Sequence, residues 1–332
     1  MIKAVYLGWP PPIMSCEDFI SDARVAQRPL LGCKKKSRGS NIPAKQWMKT
    51  NLQKLVSWLG NGWGDANDLP RRAIVLCYHS IHPVKSFASA TPELFEQHLY
   101  WLKQRCEVVT FRRILEELKR NGRNCPAVAI TFDDGYADNY EYAFPLLQKY
   151  AIPATFFVTV GLLEKDPTVV HRFQMLRQSG YEDVRPLEWS QVRQMREAGM
   201  EIGTHTYSHP NLARLGPSAV QVELNRSKQV MEQRLGEPIV LMAYPFGKPK
   251  RHFTAETVSL VAAAGYEYAA AVLFRTVRPS DSKLSLPRLC VARDELETLK
   301  SKVYGAWDFL GWWQENVPLW VAKVTSPKDS IR

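Results

Sequence analysis

The chain lacks any stretch of the roughly 18–20 continuous apolar residues that would span a bilayer, so no transmembrane helix is expected. Its most apolar run, Ala151 to Leu163, is interrupted by Pro153 and Gly161 and reads as a buried strand and its exit. The basic start, apolar run and small-residue cleavage site of a signal peptide are also missing, and the cytoplasm is favoured over export on that ground. Cysteine is scarce: six residues, with no CxxC pair and no tight framework. Cys77 sits inside an apolar strand-like run and reads as a core thiol, which leans towards a reducing compartment. Internal repeats and low-complexity tracts are absent.

What is there is ordinary in bulk and uneven in charge. Apolar residues make up 45% and charged residues 23%, as in a soluble globular protein. Residues 1–72 carry 12 Lys/Arg against 5 Asp/Glu, which leaves only +4 of the net +11 for the rest. This leader holds prolines at positions 10–12 and the basic cluster Lys34, Lys35, Lys36 and Arg38. It is expected to be poorly ordered up to Gln46. Trp47, Leu52, Leu55, Trp58 and Leu59 then form an amphipathic helical pattern. Contact with an anionic surface is open to the leader; a nucleic-acid partner is not expected. Translation starting at Met48 is a further reading of this segment. The sequence divides into this leader (1–72), a main domain (73–295) and an aromatic-rich helix and tail (296–332). The tail holds Trp307, Trp312, Trp313 and Trp320, four of the ten tryptophans. Packing on the domain is the commoner use of such a cluster, stacking on sugar rings the other.

From Arg72 onward, strand-like and helix-like patterns alternate, which implies parallel strands joined by helical crossovers. Strands are expected at Ala73–Tyr78, Val108–Thr110, Val128–Phe132, Pro153–Val160, Met200–His205, Ile239–Tyr244 and Tyr268–Phe274. Asp166 to Pro186 reads as an irregular loop. About seven such units fit an α/β fold, a distorted (β/α) barrel. Carboxylates and histidines follow the strand ends, as they do at the C-terminal face of a barrel.

Two constellations carry chemistry. Asp133 and Asp134 end the strand Val128–Phe132, and neighbours on an extended backbone point to opposite faces. One carboxylate can therefore hold a cation while the other takes a proton. His205 and His209 stand four apart, and on a helical turn they would share one face. With Asp134 they make two nitrogen donors and one carboxylate, the donor set of a catalytic site with open positions. A cation so held acidifies water and polarises a carbonyl, with Asp133 placed as general base.

Thr131-Phe132-Asp133-Asp134-Gly135, His205-Thr206-Tyr207-Ser208-His209 and Tyr244-Pro245-Phe246-Gly247, in this order, resemble the successive motifs of polysaccharide deacetylases (carbohydrate esterase family 4, NodB homology domain). Gly199 to Gly203 and the helix with Glu223 and Ser227 are similar too, so the resemblance spans roughly residues 73–295. Tyr78-His79 and Pro287-Arg288 look most like the branch containing poly-N-acetylglucosamine deacetylases. The resemblance implies metal-dependent hydrolysis of N-acetyl groups on a glycan. Asp133 would be the base, and Asp134, His205 and His209 would hold one divalent ion, zinc first, with cobalt, nickel and iron as alternatives. Tyr244 and Phe246 would lie at the substrate, the Phe246 N–H helping to stabilise the oxyanion.

Two departures stand out. The arginine of the third motif is replaced by Ala243, and Arg288 is the candidate to orient Asp133 instead. The family's late histidine, the general acid for the leaving amine, gives way to Leu289-Cys290-Val291. His79 is the candidate substitute, a structural role being the alternative; His252 reads as solvated. A non-catalytic glycan-binding protein and an esterase for O-acetylated glycans are the rival readings.

Overall fold

The computed structural model describes residues 72–84, 89–120, 125–176 and 185–316. The amphipathic pattern after Gln46, the alternative start at Met48 and Trp320 lie outside the described residues. Ten strands occur among them: β1 (Ala73–Tyr78), β2 (Ser80–Ile81), β3 (Ser89–Ala90), β4 (Glu107–Val109), β5 (Ala127–Phe132), β6 (Thr155–Val158), β7 (Glu201–Thr204), β8 (Leu241–Ala243), β9 (Tyr268–Ala270) and β10 (Leu289–Cys290). The helices that matter below are α1 (Pro92–Arg105), α2 (Pro167–Leu176), α3 (Pro217–Leu235), α4 (Leu296–Val303) and α5 (Asp308–Asn316).

Seven strands form one path, β10-β1-β5-β6-β7-β8-β9, and β4 pairs with β5 beside it. Every ladder in this sheet is parallel. The sheet curls until its two ends meet: Leu286, just before β10, bridges to Ala270 of β9. The α/β barrel expected from the alternation is therefore present, strongly distorted and with one very short closing strand. Strand ends are shorter than the apolar runs suggested, most of all after Ala270.

Period-2 alternation decides which side chains enter the barrel. On β1 and β5, Ile74, Leu76, Tyr78, Val128, Ile130 and Phe132 face the helices and belong to the larger core. Ala73, Val75, Ala127 and Ala129 face inward with Phe157, Leu241, Ala243 and Ala270. Small inward residues let the sheet close tightly, and this same face continues into Thr131 and Asp133. Leu299 and Val303 of α4, with Trp307, join the larger core, so the aromatic tail begins as part of the domain's packing. Phe309 and Trp312 of α5 remain 62% and 52% exposed. The segment expected to be irregular after Asp166 contains α2 instead, whose Val169 and Phe173 are buried.

Candidate active site

The site gathers the ends of β1, β5, β7 and β8 on the C-terminal face. β5 stops at Phe132, and Asp134 adopts a left-handed φ of 77°, followed by Gly135 at 86°. Alternation along β5 carries Asp133 inward, and the left-handed backbone at Asp134 redirects the second carboxylate. Asp133 turns inward and Asp134 turns across the mouth.

Asp133 is buried and meets Arg288 in a two-pronged ion pair. Nη1 donates to Oδ1 and Nη2 to Oδ2, each at 2.7 Å. Arg288 is fully buried, rises from inside the barrel and is held by Thr131 Oγ1 at 3.2 Å and the Ala271 carbonyl at 3.4 Å. Burial alone would raise the Asp133 carboxyl; the positive charge of Arg288, then His205, overrides it and holds the group well below the usual carboxylate range. Arg288 is pushed the other way, upward against its own desolvation, chiefly by Asp133. The Cys77 thiol also donates to Asp133 Oδ2, at 3.4 Å.

Asp134 has different neighbours. Its Oδ1 lies 3.7 Å from His205 Nε2 and 3.6 Å from His209 Nε2. Its Oδ2 accepts a 2.5 Å hydrogen bond from the Tyr136 hydroxyl. His205 Nδ1 donates to the Ala243 carbonyl at 2.9 Å, which leaves the Nε2 lone pair facing Asp134. Neither ring nitrogen of His209 hydrogen-bonds to a described residue, and its Nδ1 is buried. Burial, then His205, pushes His209 down to about 4, so its ring is neutral and able to donate a lone pair. Two imidazoles and one carboxylate, with donor atoms within 4.8 Å of one another, fit a divalent cation.

The two histidines do not share a helical face. They lie in a loop after β7, where Thr206 and His209 take left-handed φ values of 63° and 56°. Such conformations cost of order 1–3 kcal/mol each and persist only when surrounding contacts impose them. Here Glu223 of α3 accepts the N–H groups of Tyr207 and Ser208 at 3.1 and 2.8 Å, and the Ser208 hydroxyl at 2.6 Å. Thr206 Oγ1 accepts the His209 N–H at 3.1 Å.

The remaining sequence candidates fall as follows. His79 follows β1 and offers a donor atom within 4.8 Å of both Cys77 and Asp133. Asn139 fixes its backbone by donating to the His79 carbonyl at 2.8 Å. Phe246 has φ 60°, packs its ring 4.6 Å from His209, and its N–H has no acceptor among the described residues. Gly247 after it also has positive φ, and a Cβ there would sit 2.8 Å from the Val272 nitrogen. Tyr244 is fully buried, stacked on Phe253 at 3.8 Å, and donates to the Leu284 carbonyl. Its side chain supports the third motif from below and does not face the mouth. His252, expected to be solvated, is 1% exposed and packs 5.3 Å from Phe246. Sequence reasoning passed over Tyr136 and took Cys77 only for a core thiol. Alternation from Ala73 and Val75 to Cys77 carried the signal for the second.

Fold and site together define the distorted (β/α) barrels with a His2Asp cation site at the strand ends, beside a buried carboxylate. Residues 120–269 match the sequence profile of the family described as polysaccharide deacetylase. Over those residues the chain is similar to this polysaccharide deacetylase family. It is 29% identical over 202 residues to the protein named putative polysaccharide deacetylase YxkH of Bacillus subtilis (strain 168); the match covers 60% of this chain and 63% of that protein's length. It is 25% identical over 232 residues to the poly-β-1,6-N-acetyl-D-glucosamine N-deacetylase of Staphylococcus aureus (strain MRSA252), covering 67% of this chain and 74% of the relative. Among solved structures, the Streptococcus pyogenes deacetylase PplD superposes with a TM-score of 0.59 at 25% identity, covering 71% of this chain and 99% of that one.

Proposed function

We propose that the chain is a metal-dependent hydrolase that removes N-acetyl groups from N-acetylglucosamine-type units of a glycan. The observation that carries this reading is the buried Asp133–Arg288 pair beside the Asp134, His205 and His209 donors. A divalent cation bound by those three donors would supply Lewis acidity to the acetamide carbonyl and lower the pKa of water. Zinc is the first expectation; cobalt, nickel and iron suit the same donors.

The protein's own groups supply the rest. Asp133 accepts the proton of the attacking water. Arg288 holds both carboxylate oxygens, keeping the base ionised and in one orientation, the role the missing third-motif arginine would have filled. The Phe246 N–H points its dipole at charge developing on the acetamide oxygen. His79 protonates the departing amine. Its position supports this: Cys290 pairs with Cys77, so His79 stands at the end of the strand neighbouring the one that lost the late histidine.

Purified protein should release acetate from chito- or β-1,6-linked N-acetylglucosamine oligomers. Asp133→Asn should lower kcat at least about 100-fold, the scale of a lost general base. Undiminished release by that variant would remove Asp133 from this role.

A further inference from the structure

The helix α5 is turned with its polar side inward. Gln314 Oε1 accepts the Phe274 N–H at 2.7 Å, and Glu315 Oε1 accepts from Arg275 Nε at 2.9 Å. At the other end Asp308 accepts the Thr276 N–H at 2.7 Å and the Thr276 hydroxyl at 3.0 Å. Between these contacts Gly311 is buried, and a Cβ there would lie 2.4 Å from Arg275 Cβ, so the helix backbone rests directly on that side chain. Contacts at both ends and at the middle therefore fix the rotation of α5 about its axis. With that rotation set, Phe309 and Trp312 point to solvent, 62% and 52% exposed, their rings 6.1 Å apart and within 21° of parallel. A single exposed apolar residue is ordinary; two aromatics side by side on a helix locked polar side inward mark a contact surface.

The chain itself brings a matching face to this place. Arg72 lies against the start of α5: its Nη1 donates to Asp308 Oδ2 at 3.2 Å, and its carbonyl accepts the Ala127 N–H at 2.8 Å. The leader therefore joins the domain beside Asp308. Leu52, Leu55, Trp58 and Leu59 of the leader stand at helical spacing, and residues 60–71 separate them from Arg72. At no more than about 3.5 Å per residue, those 12 residues reach roughly 40 Å. The nine-residue α5 is only about 13 Å long. Every position on its aromatic face is thus within reach of the apolar positions of the leader.

We propose that residues 47–59 dock their apolar positions on Phe309 and Trp312 of α5, so that the leader covers the aromatic face of its own domain. Tethering by a short segment gives an effective concentration of order millimolar. A contact of a few side chains can then be populated within one molecule, where a free partner offering the same small face would not hold. The docking explains why α5 keeps two aromatics outward instead of rotating them into the core. It is independent of the reaction at the strand ends.

Hydrogen–deuterium exchange of the full chain, read over residues 47–59, tests it. Wild-type amides there should exchange about tenfold more slowly than in the Phe309→Ser/Trp312→Ser variant. A second measurement is the urea midpoint of that variant, of Leu55→Ser/Trp58→Ser and of the four substitutions combined. Each pair should lower the midpoint, and the combination should lower it no further than the larger pair, because both pairs remove one contact. Exchange over 47–59 that is equally fast in wild type and variant, or midpoint shifts that simply add, would overturn the docking. So would protection that appears only as protein concentration rises, which would assign the aromatic face to a second copy. Binding of phosphatidylcholine–phosphatidylserine vesicles or of N-acetylglucosamine oligomers that requires Phe309 and Trp312, with 47–59 unprotected, would give the face to a membrane or a sugar instead.

Discussion

Asp133 and Asp134 are adjacent in sequence, and His205 lies 3.8 Å from one and 3.7 Å from the other. Arg288 locks the first carboxylate by a geometry only a guanidinium provides. Arg288→Lys keeps the charge and loses the fork, so kcat should fall about 10- to 100-fold with little change in KM. Arg288→Ala leaves a buried carboxylate unpaired and should cost about 3–5 kcal/mol, read by urea unfolding. Wild-type kinetics in the lysine variant would show that orientation of Asp133 does not limit the reaction. Tyr136 acts on the other carboxylate. Its hydroxyl occupies Asp134 Oδ2, leaving Oδ1 towards the two imidazoles. Tyr136→Phe should weaken zinc or cobalt binding about tenfold, measured by competition with a chelator. Unchanged metal affinity would make the contact incidental. Tyr136 is two residues from Asp134, but Arg288 lies 155 residues from Asp133, and no local pattern announces such a pairing.

At the scale of elements, the strands were legible and the turns between them were not. Continuous apolar runs identified β1 and β5 because both faces of these strands are buried. The His205–His209 loop was misread as helical because spacing alone cannot show left-handed backbone. That backbone is imposed by α3 through Glu223, 15 residues beyond Ser208. α2 was missed since residues 166–186 lack a long apolar period. Close approach of strands also leaves a test. A Cβ on Gly203 of β7 would sit 2.8 Å from both the Leu241 carbonyl oxygen and Phe157 Cδ1. Gly203→Ala should therefore destabilise by about 1–3 kcal/mol through overpacking, seen as a lower unfolding midpoint. A neutral effect would mean that β7 and β8 can separate at little cost.

Across the whole molecule, His98 ties the start of the domain to its end. The Tyr78 hydroxyl donates to its Nδ1 at 3.1 Å, and its Nε2 donates to the Asp294 carbonyl at 2.9 Å. A second proton would displace the Tyr78 donor, and burial first of all pushes this histidine down to about 4. The unfolded chain, with an ordinary histidine near 6.5, binds more protons than the folded one between those values. Stability is thus full above pH 6.5 and is lost as pH falls towards 4. Going from pH 7 to pH 5 should remove about 2 kcal/mol of unfolding free energy, and His98→Gln should flatten that slope. Parallel pH dependences in the two proteins would sink the assignment.

The sequence by itself determined the parallel α/β alternation, the positions of the main strands, and the residue types of the His2Asp donor set. Each of these is local: it depends on period, on composition or on motif spacing within a few residues. Only the tertiary structure decided that Arg288 comes up inside the barrel to hold Asp133, that His79 stands beside the strand lacking the late histidine, and that Tyr244 and His252 are buried. Those placements depend on curling the sheet until β9 and β10 meet, which brings together residues that no local pattern links.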